Sequence, residues 1–304
     1  MSQSTKRQLP GDGETGDLEG GPAVKVSRRS IDSNGKEVSS AESPASCDSK
    51  SSTISTTVKD VTISNGNIRQ KLNQFGDYDD VTNMSVDDWE FRWGKGQTQF
   101  HMNKVHPMLA KYLDKLTDGK DKQRIFVPLC GKTLDLKWLS DKGHSVVGCE
   151  VVATACQQFF EENDIEYTTE TLPAADAVLY KAKDGRPLEI YCCDFFKITS
   201  DVIGEFDCIW DRGSLVALGV TLRQKYSDVI HPLLKTGGRY ILDCFLVDNH
   251  VFGGPPFNCS EEDVNKYLGD KFQIEKLEKK DVFSKWQEEW GVSYFFEEVY
   301  LLTH

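Results

Sequence analysis

The chain has 304 residues, a formal net charge of −12 at neutral pH, 38% hydrophobic residues and 28% charged residues. This composition is typical of a soluble globular protein, and the acidic balance disfavours binding to the phosphate backbone of nucleic acid. The sequence contains no apolar run long enough to cross a bilayer and no N-terminal apolar segment typical of a secretion signal. We therefore expect a cytoplasmic protein, a monomer, that binds neither membranes nor nucleic acid.

The first 80 residues differ in composition from the remainder. The first aromatic residue is Phe75, and Ser, Thr, Gly and Asp are abundant before it. Such a segment buries too little apolar surface to offset the entropy of ordering the chain. We predict that residues 1–80 form a disordered polar tail and that residues 81–304 form one folded domain.

Nine cysteines occur in a chain that shows no secretion signal, which favours reduced thiols. Several lie inside apolar runs, as in EIYCCDFF and FDCIWD, and no pair of CxxC motifs has the spacing of metal ligands. We interpret the cysteines as small buried hydrophobic residues and assign neither a nucleophile nor a metal site.

Strand and helix patterns alternate along the folded part. The stretch DDWEFRWGKGQTQFH at 87–101 comes first and matches neither pattern cleanly. The spacing of apolar residues then predicts, in chain order, helix 106–116, strand 124–131, helix 132–143, strand 144–150, helix 153–163, strand 189–196, strand 205–211, helix 222–238, strand 239–248, helix 260–271, strand 272–279 and strand 293–303.

This alternation predicts an α/β fold with a mostly parallel sheet and helices on both faces. The two late strands that follow the last helix predict an antiparallel hairpin at one edge. Ligands of such sheets bind outside the carboxyl ends of the strands, so the chemistry should lie where the strands end.

The ends of four strands carry candidate binding residues. After the first strand, PLCGK lacks the G-x-G-x-x-G pattern that cradles a pyrophosphate. Glu150 ends the second strand, where it could accept hydrogen bonds from a ribose or be a solvated carboxylate. Asp194 ends the third and could hold an adenine edge or form an ordinary strand exit. Arg212 ends the fourth and could hold a substrate anion or join a structural ion pair.

Recognition of a ribose without a pyrophosphate points to S-adenosylmethionine, whose sulfonium cation is attracted to aromatic faces. A flap that carries Trp89, Phe91, Trp93 and Phe100 could cover such a cofactor and exclude water. The same aromatic side chains could instead only cap the hydrophobic core.

Six stretches in order across 86–304 make the sequence resemble the thiopurine S-methyltransferase family: WEFRWGKGQTQFH, FVPLCGKTLDLKWLSDKGHSVVGCE, IYCCDFF, FDCIWDRGSLVAL, GGPPF and WGVSYFFEEVYLLT. The resemblance implies a seven-stranded Rossmann-like class I methyltransferase. It also implies an S-adenosylmethionine-dependent enzyme that methylates small aromatic and heterocyclic thiols by in-line transfer to sulfur.

The resemblance further implies which residues bind. Phe100 and Arg212 would contact the thiol substrate as well as the cofactor. The cofactor-binding set would be Trp89, Glu90, Phe91, Arg92, Trp93, Gly94, Lys95, Gly96, Gln97, Thr98, Gln99, Phe100, Leu129, Glu150, Asp194, Phe195 and Arg212.

Two positions depart from the family pattern. Asp194 stands where a small polar residue is frequent, and Trp286 stands where vertebrate members carry a basic residue near the substrate. The second departure leaves two alternatives open: a module that binds the cofactor without methylating thiols, or a methylase of another soft nucleophile. A nicotinamide oxidoreductase is disfavoured because the phosphate-binding glycines are missing. No residue is assigned as a covalent or acid–base catalyst, because positioning and desolvation suffice for this transfer.

Overall fold

The structure, a computed structural model, describes residues 83–248, 250 and 252–304. The predicted tail at 1–80 lies outside the described residues, so its disorder and the boundary near residue 81 stay predictions. Eight of the nine cysteines are described, all with free thiols, and seven of these are buried, as the apolar runs around them indicated.

Nine strands form one sheet. They are β1 (Arg124–Val127), β2 (Ser145–Glu150), β3 (Tyr167–Leu172), β4 (Ala177–Ala182), β5 (Leu188–Cys192), β6 (Phe206–Arg212), β7 (Leu234–Val247), β8 (Gln273–Asp281) and β9 (Phe295–Thr303). The α-helices are α1 (Val86–Gly94), α2 (Pro107–Thr117), α3 (Leu134–Asp141), α4 (Ala153–Glu162), α5 (Ser200–Ile203), α6 (Ser214–Ala217), α7 (Arg223–Ile230), α8 (Glu261–Leu268) and α9 (Lys285–Glu289).

The strand order is β3-β4-β5-β2-β1-β6-β7-β9-β8. The seven strands from β5 to β8 in this order are the seven predicted from sequence. They pair in parallel from β5 through β7, and β9 then pairs antiparallel with both β7 and β8, which confirms the antiparallel pair at that edge. The predicted count of seven is wrong, because β3 and β4 add a second antiparallel pair beyond β5.

Helices cover both faces of this sheet. Along β1, Phe126 faces a core shared with α5, α6, α7 and α8, whereas Ile125 and Val127 face a core shared with α2, α3 and α4. Burial on both faces explains why the central strands are continuous apolar runs rather than alternating ones.

Two local expectations are wrong. Residues 86–94 form a regular helix, α1, because Ser85 and Asp88 make a capping box that fixes its first turn. The helix expected over 222–238 ends near Ile230, after which His231–Leu233 forms a 3₁₀ turn and β7 begins at Leu234. Among the described residues, no helix is both long enough and apolar enough to cross a bilayer.

Candidate cofactor and acceptor site

The direction of the chain connections changes between β1 and β6. The helices that follow β1 and β2 pack on one face of the sheet, and α6, which follows β6, packs on the other. Such a switch point opens a crevice at the carboxyl ends of the strands. A cavity of about 630 Å³ lies here, within the range of about 300–1,000 Å³ that is typical of small-molecule sites.

Nine of the seventeen predicted cofactor-binding residues line this cavity: Trp89, Trp93, Gln99, Phe100, Leu129, Glu150, Asp194, Phe195 and Arg212. The other eight, which all lie within the 90–98 stretch, do not line it: Glu90, Phe91, Arg92, Gly94, Lys95, Gly96, Gln97 and Thr98. The helical form of α1 explains part of this division, because a helix presents only one face to the cavity. Phe91, for example, is 56% exposed.

Glu150 is held at the last position of β2 by two backbone donors. The Gly131 N–H donates to Oε2 and the Val152 N–H donates to Oε1, each at 2.8 Å. The side chain is buried, and burial raises the pKa of this carboxyl while the two N–H donors oppose that change. Each oxygen keeps a second lone pair, so the carboxylate can still accept hydroxyl donors from the cavity.

The loop after β1 takes an unusual backbone path around Glu150. Leu129 has a φ of 41° and Gly131 a φ of 52°. A Cβ at position 131 would stand 3.2 Å from Cζ2 of Trp93, so glycine there permits close packing between the loop and α1. The positive φ also turns the Gly131 N–H toward Glu150.

Aromatic side chains from α1 and the segment after it form one wall. The Phe100 ring packs edge-on against Trp89 at 5.8 Å and Trp93 at 6.0 Å, measured between ring centroids. Trp93 is buried and packs against Val152 and Ala155. These aromatic residues therefore both cover a small core cluster and line the cavity, so neither of the two roles considered from the sequence excludes the other.

Asp194 and Phe195 follow β5 on the opposite side. Asp194 caps a 3₁₀ turn by accepting a hydrogen bond from the Phe196 N–H at 2.9 Å. Phe195 is buried and stacks on Tyr226 with ring centroids 4.9 Å apart. The segment therefore offers a half-buried carboxylate next to an apolar wall, as the edge and face of an adenine would require.

Arg212, the last residue of β6, connects the sheet to the aromatic wall. Its Nη1 donates to the Phe100 carbonyl at 3.0 Å, and its buried Nε has no hydrogen-bond partner among the described residues. Arg212 is the only Lys or Arg among the described residues that line the cavity, which also presents Asp135, Glu150 and Asp194.

Sequence patterns did not indicate several other lining residues. His101 lies edge-on to Trp93 at 5.9 Å, and its burial lowers the pKa of the imidazole to about 4, so the ring is neutral at pH 7. Trp290, which follows α9, lines the cavity together with Pro255, Pro256 and Trp286, and of these four only Trp286 was expected near the substrate. Trp286 and Trp290 are four residues apart, a spacing that places two side chains on the same face of a helix. This spacing could have predicted that the two tryptophans lie together. No local sequence pattern predicted that His101 would line the cavity.

The sheet order, the switch point and the held carboxylate at the end of β2 define a protein of the Rossmann-like class. The family profile described as thiopurine S-methyltransferase (TPMT) matches residues 84–304. The chain is 38% identical over 221 residues to a thiopurine S-methyltransferase of Bos taurus, a match that covers 72% of this chain and 90% of the relative. It is 40% identical over 221 residues to a probable thiopurine S-methyltransferase of Danio rerio, covering 72% and 95%.

A crystal structure of the Burkholderia thailandensis 1,6-didemethyltoxoflavin-N1-methyltransferase, with bound 1,6-didemethyltoxoflavin and S-adenosylhomocysteine, is 15% identical in sequence to this chain. It superimposes with a TM-score of 0.49, covering 72% of this chain and 87% of that one. The family match and the curated relatives show that the chain belongs to the thiopurine S-methyltransferase family. This membership confirms the resemblance carried by the sequence motifs and the expected enzyme class, an S-adenosylmethionine-dependent methyltransferase.

Proposed function

We propose that this chain transfers the methyl group of S-adenosylmethionine to the sulfur of small aromatic thiols, including thiopurines. The observation that carries the proposal is Glu150, a buried carboxylate at the switch point with both oxygens fixed by backbone donors and turned to an aromatic-lined cavity. Family membership supports the same reaction.

The residues present fit the cofactor. Glu150 would accept hydrogen bonds from the two ribose hydroxyls, and Asp194 and Phe195 would flank the adenine. Gly131, where a Cβ would crowd Trp93, lets the loop after β1 come close to the bound molecule. His101 adds no positive charge at neutral pH, which suits a cavity that must hold a cationic sulfur.

The acceptor would occupy the apolar part of the cavity. Its wall combines side chains from distant segments, namely Phe100, Leu218, Phe245, Pro256, Trp286 and Trp290. Flat aromatic walls of this kind favour a flat ring, which stacks or packs edge-on against them. Arg212 would donate a hydrogen bond toward the acceptor from the boundary between the two parts.

When bound, S-adenosylmethionine supplies a methyl group already activated by a positively charged sulfur. The chain would then contribute positioning and water exclusion. The Phe100–Trp93 wall would exclude water, and Arg212 would orient the acceptor sulfur for attack in line with the methyl group. An aromatic thiol ionises readily near neutral pH, so no acid–base residue is required.

Two measurements on the purified full chain test the proposal. Calorimetry with S-adenosylhomocysteine measures cofactor-site binding, and transfer of a labelled methyl group to thiophenol and 6-mercaptopurine measures turnover. We expect both. Binding without transfer to either thiol, or to a selenol, would instead favour a cofactor-binding module. The predicted cytoplasmic location, monomeric state and lack of nucleic-acid binding remain predictions.

A further inference from the structure

A buried polar cluster lies behind Arg212, outside the cavity lining. We call it the His106 cluster; it consists of His106, Asp243 and Glu297, which are 4%, 1% and 7% exposed. Nδ1 of His106 lies 3.3 Å from Oδ2 of Asp243, and Nε2 lies 3.5 Å from Oε1 of Glu297. The imidazole therefore stands between two carboxyl groups and presents a different nitrogen to each.

The cluster is adjacent to Arg212 through the sheet. Arg212 on β6 is the register partner of Asp243 on β7, and Phe245 on β7 is the register partner of Glu297 on β9. Nε of Arg212, Nδ1 of His106 and both Asp243 oxygens are buried without a hydrogen-bond partner among the described residues. Two buried carboxyl groups thus lie beside a guanidinium that also lines the cavity.

Burial of a net charge is strongly unfavourable, so the group must approach neutrality. Asp135 and Asp211 are also buried nearby, so one guanidinium cannot balance every carboxyl group in its ionised form, and some of them must retain protons. Burial and the Glu297 charge raise the pKa of Asp243 well above its usual range. Burial, with Arg212, Lys104 and Lys280 nearby, lowers the pKa of His106 to about 3.

Burial also raises the pKa of Glu297, but Lys280 and Arg212 oppose that change, so we place the proton on Asp243 rather than on Glu297 or the imidazole. In that state the protonated Asp243 faces Nδ1 of His106 at 3.3 Å, and Nε2 of His106 faces Glu297 at 3.5 Å. The His106 backbone N–H is separately fixed by Asp135 at 2.8 Å, and the ring lies 5.7 Å from Trp210, measured between centroids, so the imidazole is held in place. One anion, Glu297, remains to balance one cation, Arg212.

We propose that the His106 cluster offsets the charge of Arg212, so that the enzyme prefers aromatic thiols whose only ionisable group is the sulfur to acceptors that also carry a carboxylate. This inference rests on the proposed function and names its acceptor class. His106, Asp243 and Glu297 are positioning residues, because they act through Arg212. The other acidic or basic groups with a charge at neutral pH in the described lining are carboxyl groups, which also oppose a second negative charge on the acceptor.

A metal ion is the competing explanation, since ligand atoms of these three side chains lie within 4.8 Å of one another. A single ion cannot bind both nitrogens of one imidazole. Because each nitrogen of His106 faces its own carboxyl group, the geometry favours a chain of hydrogen bonds over shared coordination.

The test compares thiophenol with 2-mercaptobenzoate, as the ratio of their kcat/KM values. Their affinities for the S-adenosylhomocysteine complex, measured by tryptophan fluorescence, give a second ratio that needs no turnover. We expect the wild type to favour thiophenol by about tenfold or more. Glu297→Gln, which leaves Arg212 unbalanced, should shift both ratios toward 2-mercaptobenzoate by about tenfold. Glu297→Asp, the charge-preserving control, should shift them much less.

Asp243→Asn tests where the proton lies. If Asp243 is already neutral, its replacement by a neutral amide should change both the kcat/KM ratio and the affinity ratio by less than about twofold. An equal shift in Asp243→Asn and Glu297→Gln would overturn the assignment, and so would one equivalent of tightly held transition metal in the purified chain. If Glu297→Gln fails to fold, a wild-type ratio near one overturns the proposal by itself. Preferential binding of thiophenol without any methyl transfer would contradict the proposed function but not the role of the His106 cluster.

Discussion

Glu150 stabilises the fold through its backbone contacts, and in the proposed function it also binds the ribose of the cofactor. Its two oxygens each accept a backbone N–H at 2.8 Å, so an amide at this position must turn its NH₂ group toward one of those donors. We expect Glu150→Gln to weaken S-adenosylhomocysteine binding by about 1–3 kcal/mol, the usual cost of an unmatched buried polar group. Isothermal calorimetry measures this change directly.

Glu189→Gln is the matched control for that variant. Glu189 lies on the neighbouring strand β5, where it pairs with Lys181 at 2.7 Å, and it does not line the cavity. Its substitution should leave cofactor affinity unchanged. Equal affinities for Glu150→Gln, Glu189→Gln and the wild type would remove the ribose assignment.

His101 links stability to pH. The folded chain holds the imidazole pKa at about 4, below the ordinary value of 6.5, mainly through burial. Stability from this group is fully present above pH 6.5. It is lost as pH falls from 6.5 toward 4, because only the unfolded chain takes up a proton there. The loss amounts to about 3 kcal/mol, at about 1.4 kcal/mol per pKa unit.

Urea unfolding at several pH values measures the effect of His101. We expect His101→Gln to have a shallower fall in unfolding free energy between pH 6.5 and 4 than the wild type. A residual fall should persist, because burial also lowers the pKa of His106 to about 3. Parallel curves for the variant and the wild type would show that His101 does not titrate differently in the two states.

At the scale of elements, α1 is the part of the site whose form depends most on local sequence. Its capping box pairs the Asp88 N–H with the Ser85 hydroxyl at 3.2 Å and the Ser85 N–H with the Asp88 carboxylate at 2.8 Å. Removing such a box costs about 0.5–2 kcal/mol of helix stability. We expect Asp88→Ala to speed amide exchange in α1 and to weaken S-adenosylhomocysteine binding severalfold, because α1 carries Trp89 and Trp93.

The same motif on α8 supplies a control. Ser260 and Asp263 form a capping box of similar geometry, and neither residue lines the cavity. Ser260→Ala should lower the melting temperature without changing cofactor affinity. A comparable loss of affinity in both variants would mean that the effect of Asp88→Ala is global.

The elements also show what local pattern can predict. The central strands among the seven predicted ones followed from apolar runs, because burial on both faces makes them continuous. In contrast, β3 has the sequence YTTETL with four exposed residues, so it offers neither an apolar run nor an apolar face, and only pairing with β4 identifies it. The helix α1 did have a local sequence signal, the Ser85–Asp88 capping box. This box begins two residues before the aromatic stretch at 87–101.

The site residues also divide into those that the sequence could predict and those that it could not. Glu150, Asp194 and Arg212 were predictable because each ends a strand or follows one closely, and strand ends meet at one edge of the sheet. The His106 cluster was not, since His106 precedes a helix while Asp243 and Glu297 depend on the register of two strand pairs. No spacing in the sequence encodes that register.

At the scale of the whole molecule, the cavity joins both ends of the described chain. Trp89 and Trp93 come from its first helix, Trp286 and Trp290 from the segment before its last strand, and the sheet supplies the floor. Contacts that span such a sequence distance form only in the folded state. The integrity of the cavity is therefore a sensitive measure of where the folded domain begins.

Truncation tests the predicted boundary at residue 81. A variant that starts at residue 81 keeps Asn83, whose side chain donates to the Thr221 hydroxyl at 2.7 Å, as well as all of α1. We expect it to match the full chain in melting temperature and in affinity for S-adenosylhomocysteine, because no described contact of the cavity is removed. A variant that starts at residue 97 loses α1 and Trp93, so it should lose most of that affinity.

Calorimetry and thermal unfolding of the three proteins, at equal concentration, separate the outcomes. Loss of affinity already at residue 81 would place part of the binding machinery in the first 80 residues and would refute the predicted division. Full affinity in the shorter variant would refute the role given to α1, because nothing after residue 96 could replace the aromatic wall that Trp89 and Trp93 build with Phe100.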